Sequence, residues 1–264
     1  MSARPVPRSV GALALAGYAA LHVPLLVLAL FSFNDARWAA DWRGGTLRWY
    51  AALLERPEIG RALRASVAVG AVASTIATAL GTLLALALVR GGLRRARAVE
   101  AALWLPVVTP EIVTGVSLVL LFSGLGIELG YGTVIAAHVA FAIPFVTVVV
   151  LARLRAMDGA LEEAAMSLGA DELATFRRVT LPLLAPAVLS AWLLAFVLSV
   201  DDFVITFFVA GPGTTTLPLL VYAMARRGVE PVINAVSTLV LAGTVVLLWL
   251  ALRLTRAPSP PPRA

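Results

Sequence analysis

The sequence predicts an all-α, polytopic membrane protein with six transmembrane helices. Of its 264 residues, 60% are hydrophobic and only 14% are charged, and the mean hydropathy is +0.93. About a quarter of the residues in an ordinary soluble domain are charged. Several apolar runs also reach the roughly 20 residues that a helix needs to cross a bilayer. Together these features exclude a soluble globular domain.

Six spans can be placed along the chain by their apolar length, at 11–33, 65–89, 99–122, 133–151, 183–210 and 232–252. The first begins too late, and runs too long without a small-residue cleavage site, for a cleaved signal peptide. The predicted organisation is a cytoplasmic N-terminal tail at 1–10, a transmembrane domain at 11–254 and a disordered, proline-rich cytoplasmic tail at 255–264.

The basic residues, all arginine, predict the orientation. Thirteen of the 21 lie on the side shared by the two termini and eight on the other side. Positive residues accumulate on the cytoplasmic side, so both termini are expected there. The arginines cluster at span ends rather than along a stripe. Membrane topology therefore explains the sequence pI of about 10.9, and no nucleic-acid partner is expected.

The chain has few residues of the types that bind transition metals. The chain has no cysteine and only two histidines, His22 in the first span and His138 in the fourth. No metal site is expected, and each histidine is interpreted as a polar residue facing the helix bundle. The sequence also has no G-x-x-x-x-G-K-[ST] phosphate-binding loop, so the chain is not expected to hydrolyse ATP itself.

The most organised polar segment lies at 163–182, between two apolar spans. Gly169 can take the left-handed conformation that ends one helix, Asp171 can cap a second helix, and Pro182 marks the predicted end of that second helix. The first helix carries an apolar stripe with glutamates beside it, which predicts a docking surface for a cytoplasmic partner. The stripe consists of Leu161, Ala164, Ala165 and Leu168, and the flanking glutamates are Glu162 and Glu163.

Acidic residues inside apolar spans are the second unusual feature. Glu111 follows two prolines in the third span, and Asp201 and Asp202 lie near the end of the fifth. Carboxylates facing lipid are costly, so these are expected to face the bundle interior or water. Two interpretations stay open: an acidic lining for a cationic solute, or a capping or arginine-paired cluster at a span end.

Aromatic and turn residues complete the pattern. The loop at 34–64 holds Trp38, Trp42, Trp49 and Tyr50, which indicates an interfacial belt or a contact surface for an outer partner. A turn is expected at Gly211-Pro212-Gly213, then a short helix at 217–225 near the outer interface, with Pro231 opening the last span.

The run Glu163-Ala164-Ala165-x3-Gly169-x9-Val179-x-Leu181-Pro182 resembles the EAA loop of ABC importer permeases. Four further runs narrow the resemblance to the PotC-type permease subunit of spermidine/putrescine importers, over essentially the whole chain. They are Phe31-Ser32-Phe33-Asn34, Pro110-Glu111-Ile112-Val113, the run 198–205 and the run 228–235. That family often has Asp at the position of Glu111.

The resemblance implies a type I ABC importer permease (MetI-like) fold in a bacterial cytoplasmic (inner) membrane. A coupling loop at about 153–182 would fit a dimeric ATPase subunit, which would bind the ATP and Mg, so that this chain needs no cofactor. A second homologous permease and a periplasmic or extracellular solute-binding protein would complete the importer. The implied coupling residues are Glu163, Ala164, Ala165, Gly169, Leu181 and Pro182, and the implied polyamine path holds Asp201, Asp202, Glu111, Trp192 and Phe203. Trp192 and Phe203 would add cation–π contact, with simple packing the alternative for Trp192.

Three alternatives remain. An ion-coupled secondary transporter or channel could use the same acids, although it would not need an ATPase-docking loop and no inverted repeat is evident. An intramembrane enzyme would need a nucleophile–base or metal constellation, which the sequence does not display. An ABC permease for another small solute, such as an aminophosphonate or an iron chelate, would share the same coupling loop.

Overall fold

The computed structural model describes residues 8–36, 41–92, 95–228 and 230–255. Within these ranges the regular structure is helical, apart from one isolated bridge between Asn34 and Gly45. The helices are α1 (Arg8–Phe31), α2 (Arg48–Leu54), α3 (Pro57–Arg90), α4 (Ala96–Val108), α5 (Glu111–Gly124), α6 (Tyr131–Ala156), α7 (Ala160–Ser167), α8 (Glu172–Thr175), α9 (Leu181–Asp201), α10 (Val204–Val209), α11 (Leu217–Arg227) and α12 (Pro231–Thr255), and a π-helical turn at Phe176–Thr180 joins α8 to α9. Trp38 and most of both predicted tails lie outside the described residues.

The all-α prediction is confirmed. Among the described residues, five helical segments are long and apolar enough to cross a membrane, and the number rises to six if the bent pair of α4 and α5 is counted as one span. The predicted turn at 211–213, the short helix that follows it and the start of the last span at Pro231 are all present. The structure differs from the prediction in the third span, at Pro182, at the end of the fifth span and at the start of the second span.

The third span is broken rather than continuous. The axes of α4 and α5 meet at 105° across Thr109 and Pro110. A residue before proline is driven out of the helical conformation, and Thr109 accordingly has ψ 131°. The carbonyl of Pro110 then accepts the N–H groups of Val113 and Thr114, which starts α5 afresh. This break places Glu111 in the first turn of α5.

Pro182 does not end a helix, so that prediction is wrong. The chain stays helical from Glu172 to Asp201, with the π turn in between. A proline inside an α-helix would press its ring on the carbonyl four residues earlier, here that of Arg178. In the π turn the Leu181 N–H donates instead to the Phe176 carbonyl, five residues back, and this wider turn accommodates the ring.

The fifth span also ends earlier than predicted. The helix stops at Asp201, Asp202 is extended with ψ 125°, and the short helix α10 begins at Val204. The second span, in contrast, begins earlier than predicted, because α3 already starts at Pro57.

One packing unit holds the described residues up to Gly60 together with Val221–Gly243. Its loop before α2 is organised by Asn34. The Asn34 side-chain oxygen accepts the Arg43 N–H at 2.9 Å, and its backbone carbonyl accepts the Trp49 indole N–H at 2.8 Å. Tyr50 hydrogen-bonds Ser32 at 2.6 Å. Trp49 and Tyr50 therefore help to hold the loop together, whereas Trp42 is 50% exposed.

The other unit holds Arg61–Leu220 with the described residues from Thr244 onward. Its core lies where α3, α6 and α9 pack through alanine and valine side chains. A Cβ added to Gly81 of α3 would lie 2.6 Å from Val146 Cγ1 of α6, so these two helices approach through a glycine. A second cluster joins α3, α5, α6 and α10 around Phe122, Val134 and Ile205.

Candidate functional site

The polar segment after α6 folds as its sequence predicts up to the π turn. Asp158 accepts the Ala160 N–H at 3.0 Å at the start of α7. Gly169 has φ +93°, and the Ala170 N–H returns to the Ala165 carbonyl at 3.1 Å, which closes α7. Asp171 then caps α8 by accepting the Ala174 N–H at 2.6 Å. The predicted glycine stop and aspartate cap are both confirmed.

The apolar stripe of α7 points away from the rest of its packing unit. None of the residues of α7 is buried. Leu161 is 52% exposed, Leu168 just beyond the helix is 90% exposed, and Glu163 is also exposed. Large apolar side chains so exposed, with a carboxylate beside them, are typical of a contact surface for a protein partner. We call this exposed face of 161–168 the docking face.

A concave surface of about 450 Å³ lies beside the docking face, between α7 and α8. Its lining combines small residues at and just after the end of α7 with two charged side chains, Asp171 at the start of α8 and Arg178 in the π turn. The lining residues are Ala165, Leu168, Gly169, Ala170, Asp171, Ala174, Thr175, Arg178 and Val179.

Leu181 and Pro182 sit apart from the docking face in the chain, at the first turn of α9. Both are exposed. Leu181 lines a separate apolar cavity of about 480 Å³ together with Val188, Leu189 and Trp192. Three of the predicted coupling residues, Glu163, Ala164 and Ala165, therefore lie on α7, and Gly169 follows that helix. The other two, Leu181 and Pro182, begin α9.

Glu162 was predicted, together with Glu163, to flank the docking surface, and the structure corrects this prediction. Its side chain is turned away from the docking face and is 21% exposed. It makes an ion pair with Arg90 of α3 and accepts the Thr180 hydroxyl at 2.6 Å. The sequence showed only that Glu162 lies beside, rather than on, the apolar stripe. Its pairing with Arg90 could not be predicted, because the two residues are 72 positions apart.

Asp202 lies in a buried polar cluster at the break between α9 and α10. Its carboxylate accepts the backbone N–H of Thr206 at 2.8 Å and the Thr206 hydroxyl at 2.6 Å. His138 of α6 lies within hydrogen-bonding distance of Asp202 at 3.2 Å and of Ser199 at 2.6 Å. The His138 side chain is 2% exposed, so its predicted position facing the bundle is confirmed.

Asp201 and Glu111 differ from Asp202 in being exposed. Asp201 is the last residue of α9, where unpaired carbonyls give a helix end its partial negative charge. Glu111 stands in the first turn of α5, at the 105° bend. The structure thus separates the predicted acidic residues into one buried cap and two accessible carboxylates.

Trp192 and Phe203 occupy different surroundings. The Trp192 indole N–H donates to Thr75 at 3.0 Å, and its ring stacks on Phe196 with 5.2 Å between centroids. Phe203 follows Asp202 in the break, and its ring lies 5.6 Å from that of Phe207. One face of the Trp192 ring is therefore occupied by a neighbour, and the apolar cavity described above borders the residue.

No cluster of three or more His, Cys, Asp or Glu residues suited to a metal ion occurs in the part of the chain that the structure describes. The arrangement can instead do two things. An exposed helical face between two spans can bind a partner, and accessible carboxylates at helix breaks can interact with a cation. Together with the long apolar helices, these features are those expected of a membrane transport protein.

The chain belongs to the family of inner membrane components of binding-protein-dependent transport systems, whose family model matches residues 57–257. It is 43% identical over 244 residues to the putrescine transport system permease protein PotI of Escherichia coli (strain K12), covering 90% of this chain and 87% of PotI. It is 39% identical over 231 residues to the spermidine/putrescine transport system permease protein PotC of the same strain, covering 88% of each.

Among solved structures, a chain of a bacterial alginate ABC transporter in complex with an alginate pentasaccharide-bound periplasmic protein has a similar fold. The TM-score is 0.69 at 16% identity, and the match covers 94% of this chain and 93% of that chain. At this identity the likeness establishes the fold, which is that of an ABC importer permease. The chain is accordingly a transport permease, and its relatives are transport components rather than enzymes.

Proposed function

We propose that this chain is the permease subunit through which an ATP-driven importer carries polyamines, putrescine and spermidine, into the cytoplasm. One observation carries the proposal: two polyamine permeases are 43% and 39% identical to the chain over about nine-tenths of its length. The exposed docking face on α7 supports ATP coupling, because it offers a partner ATPase an apolar stripe with a directing carboxylate, Glu163.

The working assembly would contain this chain, a second homologous permease, two copies of an ATPase subunit and an external solute-binding protein. ATP and Mg would be bound by the ATPase subunits, so the permease itself would need no cofactor. The docking face has to meet the ATPase in the cytoplasm. The arginine distribution supports this orientation, because it predicts both termini on the cytoplasmic side as well.

Asp201 is the proposed carboxylate for a passing ammonium group. It is exposed, and it stands at the carbonyl end of α9, where the helix dipole adds negative potential. Glu111 is the second accessible acid of the path. Asp202 would instead stabilise the break between α9 and α10 through its contacts with Thr206 and His138. Polyamines carry two or more charges, so accessible acids lower the cost of leaving water.

Uptake by the complete complex tests this function. The permease, its homologous partner and the ATPase would be reconstituted in liposomes with binding protein outside and ATP inside. Labelled putrescine or spermidine should accumulate, and unlabelled amines should compete while a neutral solute should not. ATP hydrolysis that is stimulated by the binding protein but gives no polyamine uptake would support an ATP-driven permease and would reject polyamines as its substrate.

A further inference from the structure

Three side chains from three separate helical segments meet at one point behind the docking face. Arg90 is the last residue of α3, Glu162 lies in the first turn of α7, and Thr180 ends the π turn immediately before α9. Arg90 and Glu162 form an ion pair, the Thr180 hydroxyl donates to Glu162 at 2.6 Å, and Arg90 Nη2 donates to Thr180 at 3.3 Å. We call this closed set the coupling triangle.

Burial strengthens the contacts by which the coupling triangle joins α7 to α3 and to the π turn before α9. Thr180 is fully buried, and the side chains of Glu162 and Arg90 are 21% and 38% exposed. Hydrogen bonds to a charged acceptor are stronger than neutral ones, and partial burial limits their screening by salt. Removal of the Arg90 guanidinium or the Thr180 hydroxyl would leave the half-buried Glu162 carboxylate with one hydrogen-bond donor fewer.

Few contacts other than the coupling triangle fix the position of α7. In the described part of the chain, no residue of α7 is buried, and Glu162 makes the only side-chain hydrogen bonds from α7 to another helical segment. A helix without buried side chains is held weakly by packing alone. Its position relative to α3 and α9 therefore depends on Glu162.

We propose that Glu162 is the positioning residue of energy coupling: through Arg90 and Thr180 it makes α3 and α9 move with α7. This inference rests on the proposed function, in which an ATPase displaces the docking face. Glu163 and the exposed leucines receive the displacement, and Glu162 passes it to two spans at once. The π turn that ends at Thr180 lies between α7 and α9 in the chain, and π turns inside helices occur frequently at functional sites.

The first experiment compares Glu162→Gln with wild type in the reconstituted complex, with uptake and binding-protein-stimulated ATP hydrolysis measured in the same vesicles. We expect uptake per ATP hydrolysed to fall about tenfold or more, the range of ordinary coupling energies, while hydrolysis and ATPase copurification persist. Unchanged uptake per ATP would overturn the proposal.

The matched control is Glu100→Gln. Glu100 of α4 makes a two-pronged ion pair with Arg155 of α6 at 2.8 and 2.9 Å, so the variant also loses a partly exposed ion pair between helices. It does not involve α7, and uptake per ATP should stay at the wild-type value. An equal loss in both variants would mean that any interhelical ion pair has this effect, and would reject a specific role for Glu162.

Charge exchange separates positioning from mere folding. Glu162→Arg alone and Arg90→Glu alone should each uncouple, and the double exchange should restore most of the uptake per ATP. If the single charge reversals fail to assemble, Thr180→Val removes one donor with little change of shape and should give a smaller loss of the same kind. Failure of both the exchange and Thr180→Val to move the ratio would overturn the proposal.

A structural readout keeps this inference separate from the polyamine substrate. The chain has no cysteine, so paired spin labels can be introduced on exposed Met166 of α7 and exposed Leu83 of α3. In the assembled complex with otherwise wild-type sequence, the distribution of distances between the labels should not change on ATP binding. In the Glu162→Gln variant the distribution should broaden or shift. This result is independent of which solute is carried, whereas a wild-type complex without polyamine uptake would count only against the proposed function.

Discussion

His138 Nε2 lies 3.2 Å from Asp202 Oδ2, in a cluster where the two side chains are 2% and 6% exposed. The same carboxylate accepts two hydrogen bonds from Thr206, and the other ring nitrogen of His138 lies 2.6 Å from the Ser199 hydroxyl. The bonds join α6 to both sides of the break between α9 and α10. Two adjacent aspartates thus have different surroundings, since Asp201 is exposed.

His138→Leu should destabilise the permease. It removes a partner from the buried Asp202 carboxylate and from Ser199, and a buried polar group that loses its partner costs about 1–3 kcal/mol. We expect a lower unfolding midpoint for the purified protein in detergent, measured by thermal unfolding. His22→Leu is the control, because the His22 ring stacks on Tyr18 in an exposed part of α1. An unchanged midpoint for His138→Leu would contradict the structural role of the cluster.

The two aspartates should respond differently to the same substitution. Asp202→Asn should lower stability, because an amide is a weaker acceptor for the two Thr206 donors and His138. Asp201→Asn should leave the unfolding midpoint within experimental error and reduce polyamine uptake several-fold, mainly through a higher KM. Thermal unfolding and uptake kinetics measured on both variants check this, and equal behaviour of the pair would contradict the assignment.

Gly169→Ala should impair coupling through the backbone alone. Gly169 has φ +93°, and an added Cβ would meet no atom within 4 Å, so the cost is the strain of a left-handed residue, about 1–2 kcal/mol. Gly159→Ala is the control, since Gly159 begins the same helix with φ −62° and equal space. Uptake per ATP should fall for the first variant and stay unchanged for the second. A larger loss in Gly159→Ala would show that the turn geometry is not what matters.

Gly81→Val should disrupt the packing of α3 on α6. The first added carbon already lies 2.6 Å from Val146 Cγ1 and 3.2 Å from the Ile143 carbonyl, so the helices would have to separate. Overpacking of this kind typically costs about 1–3 kcal/mol. Val146→Ala should recover part of the loss, and Gly132→Val, where an added carbon meets nothing within 4 Å, should be milder. The unfolding midpoints of the four proteins provide the comparison.

Glu163→Lys should abolish ATP-driven uptake while leaving membrane insertion intact. Glu163 is exposed on α7 and its side chain makes no hydrogen bond or ion pair with the other described residues, so the permease itself should tolerate the change. Copurification of the ATPase subunit with the tagged permease measures docking directly. Glu128→Lys, an exposed charge reversal between α5 and α6, should copurify normally. Normal uptake by Glu163→Lys would remove Glu163 from the docking face.

Local signals in the sequence predicted the approximate positions of the spans and the exposed helix between α6 and α9. Composition and the length of the apolar runs predicted the helical membrane fold. The stop at Gly169 and the cap at Asp171 depend on residues a few positions apart, so their short-range chemistry predicts them correctly. The prolines at 106 and 110 signalled disturbed hydrogen bonding, although they did not by themselves specify a 105° bend.

Tertiary contacts decided the rest. Glu162 and Arg90 are 72 residues apart, and His138 and Asp202 are 64 apart, so no periodic pattern could pair them. Pro182 was misjudged because a proline usually breaks a helix, and the compensating π turn has no strong sequence signature. For Asp202 the sequence left lining and capping open, and the geometry favours capping at the start of α10.

The π turn fixes the rotational register of the fifth span. A π turn contains one more residue than the α-helical turn it replaces, and each residue of an α-helix advances the side-chain direction by about 100°. Had the same residues formed a continuous α-helix without the π turn, every side chain of α9 would therefore be rotated by about 100° relative to α8. Trp192 would turn away from Thr75, and Ser199 would turn away from His138. Five residues next to the docking face thus determine which side of the span faces the interior of the bundle.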